Sequence, residues 1–175
     1  MSEQETPKRT RKKSPNHPAI GLQDAIRRTE LIFNDYKRSP ITVSMACTKI
    51  GFSNYKSSSA AGAIAALVAY GLVDSNGRGD ERKLTVSESG ERIIRSAPDR
   101  KELIKNAAEN PKLHKELIGK FVADGELSHD DLITNYLLWD RKPTTFNEDS
   151  LGPFIRRFKT MLKYSGIVKL SLIHI

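Results

Sequence analysis

Basic side chains at helical spacing, hydroxyls in a row and a cationic terminal cluster are the groups in this 175-residue chain whose types and spacing suit chemistry. The chemistry they suit is the holding of phosphate oxygens. Arg156, Lys159 and Lys163 lie three and four residues apart, so one face of a helix carries all three. Lys8, Arg9, Arg11, Lys12 and Lys13 crowd a segment in which only Glu3 and Glu5 oppose them. Arg78 lies within the turn-rich stretch Asn76-Gly77-Arg78-Gly79-Asp80, and Arg82 and Lys83 follow it. The formal net charge of +8 and pI of about 9.6 favour a polyanionic partner. Ser150–Lys169 contains no acid, whereas Pro98–Asp149 has an acidic surplus, so a basic helix stands beside an acidic stretch.

Covalent, metal and phosphoryl-transfer chemistry finds no set of residues. Gly77 and Gly79 lack the following Gly-Lys-Ser/Thr of a phosphate-binding loop, and no nucleophile elbow occurs. His17, His114, His129 and His174 are scattered, without metal-ligand spacing. Cys47 falls on the apolar side of a short helix and reads as core. The expectation is a protein that is not an enzyme and needs no cofactor. Mean hydropathy is −0.48 and no apolar run approaches the ~20 residues of a membrane span. With a single cysteine and no secretory signal in Met1–Pro18, the cytoplasm is the expected compartment and no membrane partner is expected.

Residues 1–18 hold prolines and almost no apolar side chain, which predicts a disordered basic arm. From Leu22, the set Leu22, Ala25, Ile26, Ile32, Phe33 and Tyr36 predicts an amphipathic helix stopped at Ser39-Pro40. A short helix over Val43–Ile50 with Gly51 at its end comes next. After Phe52–Ser57 a third helix runs over Ser58–Tyr70, with Ala61, Ile64, Ala65 and Val68 as its expected buried stripe. Leu72-Val73 and Lys83–Val86 flank the turn residues and predict a β-hairpin, and Ser87 opens a fourth helix.

Residues 19–96 of this chain resemble the winged helix-turn-helix family. The resemblance is carried by Ala69-Tyr70-Gly71-Leu72-Val73, the hairpin, and Leu84-Thr85-Val86-Ser87-Glu88-Ser89-Gly90, which look like that family's passage from recognition helix through wing into a closing helix. It implies a third helix in the major groove of duplex DNA and a wing beside the backbone. The matching positions for nucleic-acid contact are Asn54, Tyr55, Lys56, Ser57, Ser58 and Ser59, with Arg78, Arg82 and Lys83 in the wing. The third helix departs from a base-reading pattern, because beyond its serines the exposed positions are alanines and no Arg, Gln or Asn is placed for a bidentate base contact. Ser57–Ser59 also suit plain helix capping, and the alanines also suit close packing against a protein partner.

In the second half, Pro98–Ala108 and Pro111–Val122 predict helices, and Ser128 with Asp131 resembles a capping box for a helix reaching Trp139. A polar connector leads to a helix carrying Leu151, Phe154, Ile155, Phe158 and Leu162, closed by Gly166, with Ile167-Val168-Lys169 as a strand start. This order predicts a second, degenerate winged helix. The phrases Phe146-Asn147-Glu148, Phe154-Ile155 and Lys163-Tyr164-Ser165-Gly166 resemble a group of uncharacterised prokaryotic winged-helix proteins, a likeness that implies no activity. Leu170–Ile175 reads as a translated sequencing adapter, which would place the natural continuation beyond Lys169.

The expected organisation is therefore an arm (1–18), a winged helix-turn-helix domain (19–97), a second helical unit (98–169) and an adapter-derived end (170–175). The expected fold class is mainly α with small β-hairpin wings. The expected function is double-stranded DNA binding of modest sequence selectivity, in transcription control or replication initiation, with a homodimer on paired half-sites as one arrangement. The other classes left open are a protein-interaction scaffold and, if the natural chain continues beyond Lys169, an appended enzymatic domain.

Overall fold

A computed structural model describes residues 13–169. Leu22, Ala25, Ile26, Ile32 and Phe33 line the buried side of α1 (Leu22–Tyr36), as their spacing predicts. Thr29 joins that side, its hydroxyl donating to the Ala25 carbonyl at 2.8 Å, which is how a polar residue fits there. Pro40 ends the turn after α1, and a two-residue strand β1 (Ile41–Thr42) leads into α2 (Val43–Lys49), capped by the Thr42 hydroxyl. The third helix, α3 (Ser58–Ala69), begins on a Ser57 cap.

Strands β2 (Val73–Asn76) and β3 (Lys83–Val86) form the expected antiparallel hairpin, and β1 adds to it in the order β1-β3-β2. Leu84 and Val86 point into the core while Lys83 is exposed, the period of two that a half-buried strand requires. Strand β1 is too short to show any such period, so its sequence carries no strand signal.

The Ser87 hydroxyl accepts the Gly90 N–H at 3.0 Å and donates to the Gly71 carbonyl at 2.6 Å, seating α4 (Glu88–Ile94) directly on the end of α3. Gly90 permits this approach: a Cβ there would stand 2.4 Å from the Leu72 carbonyl oxygen. Gly90→Ala is therefore expected to cost about 2 to 3 kcal/mol through overpacking against backbone. Thermal unfolding checks it, and an unchanged midpoint would contradict the packing described.

The phase of α3 differs from expectation. Ala60, Ala63, Ile64, Ala66 and Leu67 are buried, whereas Ala61 and Ala65 are exposed and Val68 is half-buried. Nearly every residue of α3 is small or apolar, so spacing alone does not say which side turns inward.

The second half is helical with one more hairpin. Helices α5 (Arg100–Glu109) and α6 (Lys112–Phe121) meet at Asn110-Pro111, where the Asn110 amide donates to the Ala69 carbonyl at 2.7 Å and ties the halves together. Strands β4 (Val122–Ala123) and β5 (Glu126–Leu127) follow, turned by Asp124 and Gly125, both at positive φ. Asp-Gly is a strong signal for such a turn, but flanking strands of two residues each leave no alternation in the sequence to mark a hairpin. Ser128 donates its N–H to Phe121 and so belongs to this hairpin; the cap of α7 (Asp130–Asn135) is His129, not Ser128. From Tyr136 to Asp140 the helix widens into a π turn, and the cap-like bond of Arg141 N–H to the Tyr136 carbonyl closes it. Arg141 grips Glu116 through two N–H donors at 2.9 and 3.1 Å, fixing the connector to α6.

The last helix, α8 (Glu148–Tyr164), buries Leu151, Phe154, Ile155, Phe158 and Leu162 as predicted, and Met161 besides. Ile167–Lys169 forms no strand; its single ladder-like bond runs from Lys169 N–H to the Gly125 carbonyl at 2.8 Å. The order of elements thus does not repeat that of the first half. Residues 170–175 and the cluster Lys8–Lys12 lie outside the described residues.

Ser14–Pro18, read from the sequence as part of a disordered arm, packs on the second half. Pro15 and Pro18 are buried, the Ser14 hydroxyl accepts the Asn147 N–H at 3.0 Å, and the His17 ring lies 5.1 and 5.0 Å from those of Phe146 and Phe154. The buried side chains of both halves form one cluster. At its centre is His114, 3 % exposed, beside Tyr70 and Phe158. Burial, aided by the nearby His17 and Arg157, lowers its pKa from 6.5 to about 4, against the opposing bond to the Ala108 carbonyl.

A histidine held neutral when folded takes up a proton more readily when unfolded. Stability is thus full above pH 6.5 and declines by roughly 1.4 kcal/mol per pH unit as pH falls toward 4. Urea unfolding at about pH 7.5 and about pH 5 is expected to differ by roughly 2 kcal/mol in the wild type, and by less than half of that in His114→Leu. Equal differences in the two proteins would contradict the assignment.

Candidate nucleic-acid interface

Between α2 and α3 the chain makes a tight polar turn. The Asn54 side-chain oxygen accepts the Lys56 N–H at 3.0 Å, and the Asn54 carbonyl accepts that of Ser57. Ser57 in turn caps α3 by accepting the Ala60 N–H at 3.2 Å. Its oxygen is thus engaged in structure, while Ser58 and Ser59 are exposed in the first turn of α3, where helix N–H groups lack intrahelical partners.

The hairpin reaches this turn from the other side. Its tip is a 3-10 turn, Gly79–Glu81, and the Tyr55 hydroxyl donates to the Asp80 carboxylate at 3.3 Å. That bond joins the α2–α3 link to the hairpin tip. Arg82 is held across the hairpin by donating to the Ser75 hydroxyl at 2.6 Å, and Lys56 lies over the Tyr55 ring at 5.6 Å. Arg78 and Lys83 are exposed. A cleft of about 390 Å³ separates the two arms, lined among others by Thr42, Ser44, Lys56, Ile64 and Arg82.

The structure therefore brings Asn54–Ser59 and Arg78–Lys83 to one edge of the molecule. Lys56, Arg78, Arg82 and Lys83 outnumber Asp80 and Glu81 there, leaving a modest positive excess. Asp80, Ser75, Thr42 and Ser44 join this edge without a signal for it in the binding pattern of the sequence. Thr42 carries a local signal as the cap of α2, but the roles of Asp80 and Ser75 arise from pairing with residues distant in the chain.

Along α3 the exposed surface beyond Ser59 is smooth. Ala61 and Ala65 face outward, and Gly62 is overlain by Ala19, whose Cβ would lie 3.2 Å from a Cβ at that position. No side chain there can donate or accept a bidentate base contact.

The three basic residues of α8 share a face but not an environment. The Lys159 ammonium donates to Asp130 at 2.9 Å, so its charge is compensated. Lys163 is exposed and, with Lys159, borders a groove of about 800 Å³ whose other wall is Gly125–Asp130. Arg156 is exposed and borders a separate recess over Gly21–Gln23.

Cys47 is fully buried and burial pushes its thiol pKa up, the reverse of a nucleophile's environment. Among the described residues, no group of three His, Cys, Asp or Glu side chains is placed to hold a metal ion, and no helix is long and apolar enough to cross a membrane. Comparison with protein-family models, curated proteins and solved structures finds no match to this chain.

Proposed function

We propose that this protein binds double-stranded DNA, with α1–α3 and the β2–β3 hairpin acting as a winged helix-turn-helix. The observation that carries the reading is the Tyr55–Asp80 bond, which joins the start of α3 and the hairpin tip into one basic edge bearing Lys56, Arg78, Arg82 and Lys83. In this reading Ser58 and Ser59 approach a phosphate at the start of α3, and the hairpin cations lie along the backbone. Affinity comes from counterion release. Selectivity is modest, because alanines touch thymine methyl groups at most. A role in transcription control within the cytoplasm fits such a module, and replication initiation uses the same contacts.

One observation favours a second reading. The smooth Ala61–Ala65 surface of α3 also suits close packing against another protein. Salt separates the two: duplex binding loses affinity with a log-log slope near −0.9 per phosphate neutralised, whereas docking of alanines is nearly indifferent to salt. Titration of a random-sequence duplex from low to physiological salt is the test.

A further inference from the structure

The groove of about 800 Å³ between the C-terminal end of α8 and the β4–β5 hairpin is lined throughout by described residues. Lys159, Leu162 and Lys163 are three and four residues apart, so one face of α8 turns all three toward it. Leu162 is buried and Leu127 and Val168 are half-buried, which gives the groove an aliphatic floor. A third lysine is seated on the rim. Lys169 donates its N–H to the Gly125 carbonyl at 2.8 Å, and its stem lies over Gly125, where a Cβ would stand 3.1 Å from the Lys169 Cγ and Cε. The charges here do not cancel. Lys159 is engaged by Asp130 at 2.9 Å, whereas Lys163 and Lys169 are exposed and, among the described residues, meet no acid within ion-pair distance. Glu126 is the one acid left against them among the lining residues.

Two ammonium groups above an aliphatic floor suit a ligand that is charged at one end and apolar along its body. We propose that this groove binds a small amphipathic organic anion, its carboxylate, sulfonate or phosphate at Lys163 and Lys169 and its apolar body on Leu127, Leu162 and Val168. The volume falls within the roughly 300 to 1,000 Å³ of small-molecule sites. A nucleic-acid backbone fits less well, because it has no apolar body to cover the floor and its phosphates are repelled by Glu126 and Asp130 on the facing wall. The groove shares no residue with the cleft between α3 and the β2–β3 hairpin, so the DNA-binding reading is not needed for it.

The probe is anilinonaphthalene sulfonate, a dye with an apolar body and one sulfonate, titrated by fluorescence into the full chain at low salt. Saturable binding is expected, weakened about ten-fold by Lys163→Ala combined with Lys169→Ala. Both side chains are exposed, so the fold should persist. Arg95→Ala combined with Lys101→Ala removes the same charge from exposed positions that do not line the groove, and should bind the dye as the wild type does. Equal affinity in the wild type and the Lys163 and Lys169 variant would overturn the proposal, as would an equal loss in the control pair. Inorganic sulfate tests the apolar half of the ligand: lacking a body, it should displace the dye only at concentrations roughly 50-fold above those of the free dye. Displacement at matching concentrations would leave the floor without a role and overturn the amphipathic class. Displacement by random duplex DNA would assign the groove to nucleic acid and overturn it too, whereas failure of DNA binding at the α3 edge would leave the dye result unchanged.

Discussion

Phe154→Ala is expected to remove about 3 to 5 kcal/mol of stability, the largest loss from any single truncation here. Phe154 is 1 % exposed, and its ring centre lies 4.9 Å from Phe146, 5.8 Å from Phe158, 5.0 Å from His17 and 6.2 Å from His114. Those four rings come from the connector, from α8, from the N-terminal segment and from α6. A cavity at their junction has no single wall that can collapse into it, because each wall is tethered to a different element. With roughly 2 to 4 °C per kcal/mol for a chain of this size, the unfolding midpoint should fall by about 10 °C.

A second readout separates this account from ordinary core softening. Burial, which outweighs the bond to the Pro15 carbonyl, lowers the His17 pKa. Loss of the Phe154 ring should wet His17 and return its pKa toward the ordinary 6.5, visible by NMR titration. A midpoint drop without movement of His17 would mean that the N-terminal segment is not held by this cluster.

Much of the fold is legible where one face of an element is polar and the other apolar. The buried set of α8 emerges from spacing because Arg156, Lys159 and Lys163 mark the opposite side. α3 fails on the same logic: Ala61 and Ala65 match Ala60 and Ala63 in chemistry, and only packing against the rest of the core sets the phase. The order in Ser14–Pro18 is likewise invisible locally, since two prolines and a histidine gain their burial from Phe146 and Phe154, more than a hundred residues away. The shift of the α7 cap from Ser128 to His129 follows from Ser128 being recruited by the β4–β5 hairpin.

The candidate interface is legible to the same degree. Cations near a glycine-rich turn are plain in the sequence, and so is the serine run. Their meeting is not, because it depends on Tyr55 reaching Asp80 across 25 positions. Lys159 shows the converse limit: a charge stripe read from spacing includes a lysine whose partner, Asp130, is 29 positions distant.

Removing the three hairpin cations together, Arg78→Ala, Arg82→Ala and Lys83→Ala, is expected to have the largest effect on binding. If each neutralises one phosphate, the log-log salt slope becomes shallower by about 2.7, and affinity at about 0.1 M salt falls by roughly 500-fold. All three positions are outside the buried core, so the fold should persist, and far-ultraviolet circular dichroism checks that it does.

Duplex-DNA affinity as a function of salt, for the wild type and this triple variant side by side, is the measurement that bears most directly on the account. Steep salt dependence in the wild type, with a slope shallower by about 2.7 in the variant, is the predicted result. Binding that ignores salt, or a variant indistinguishable from the wild type, would contradict docking through the hairpin.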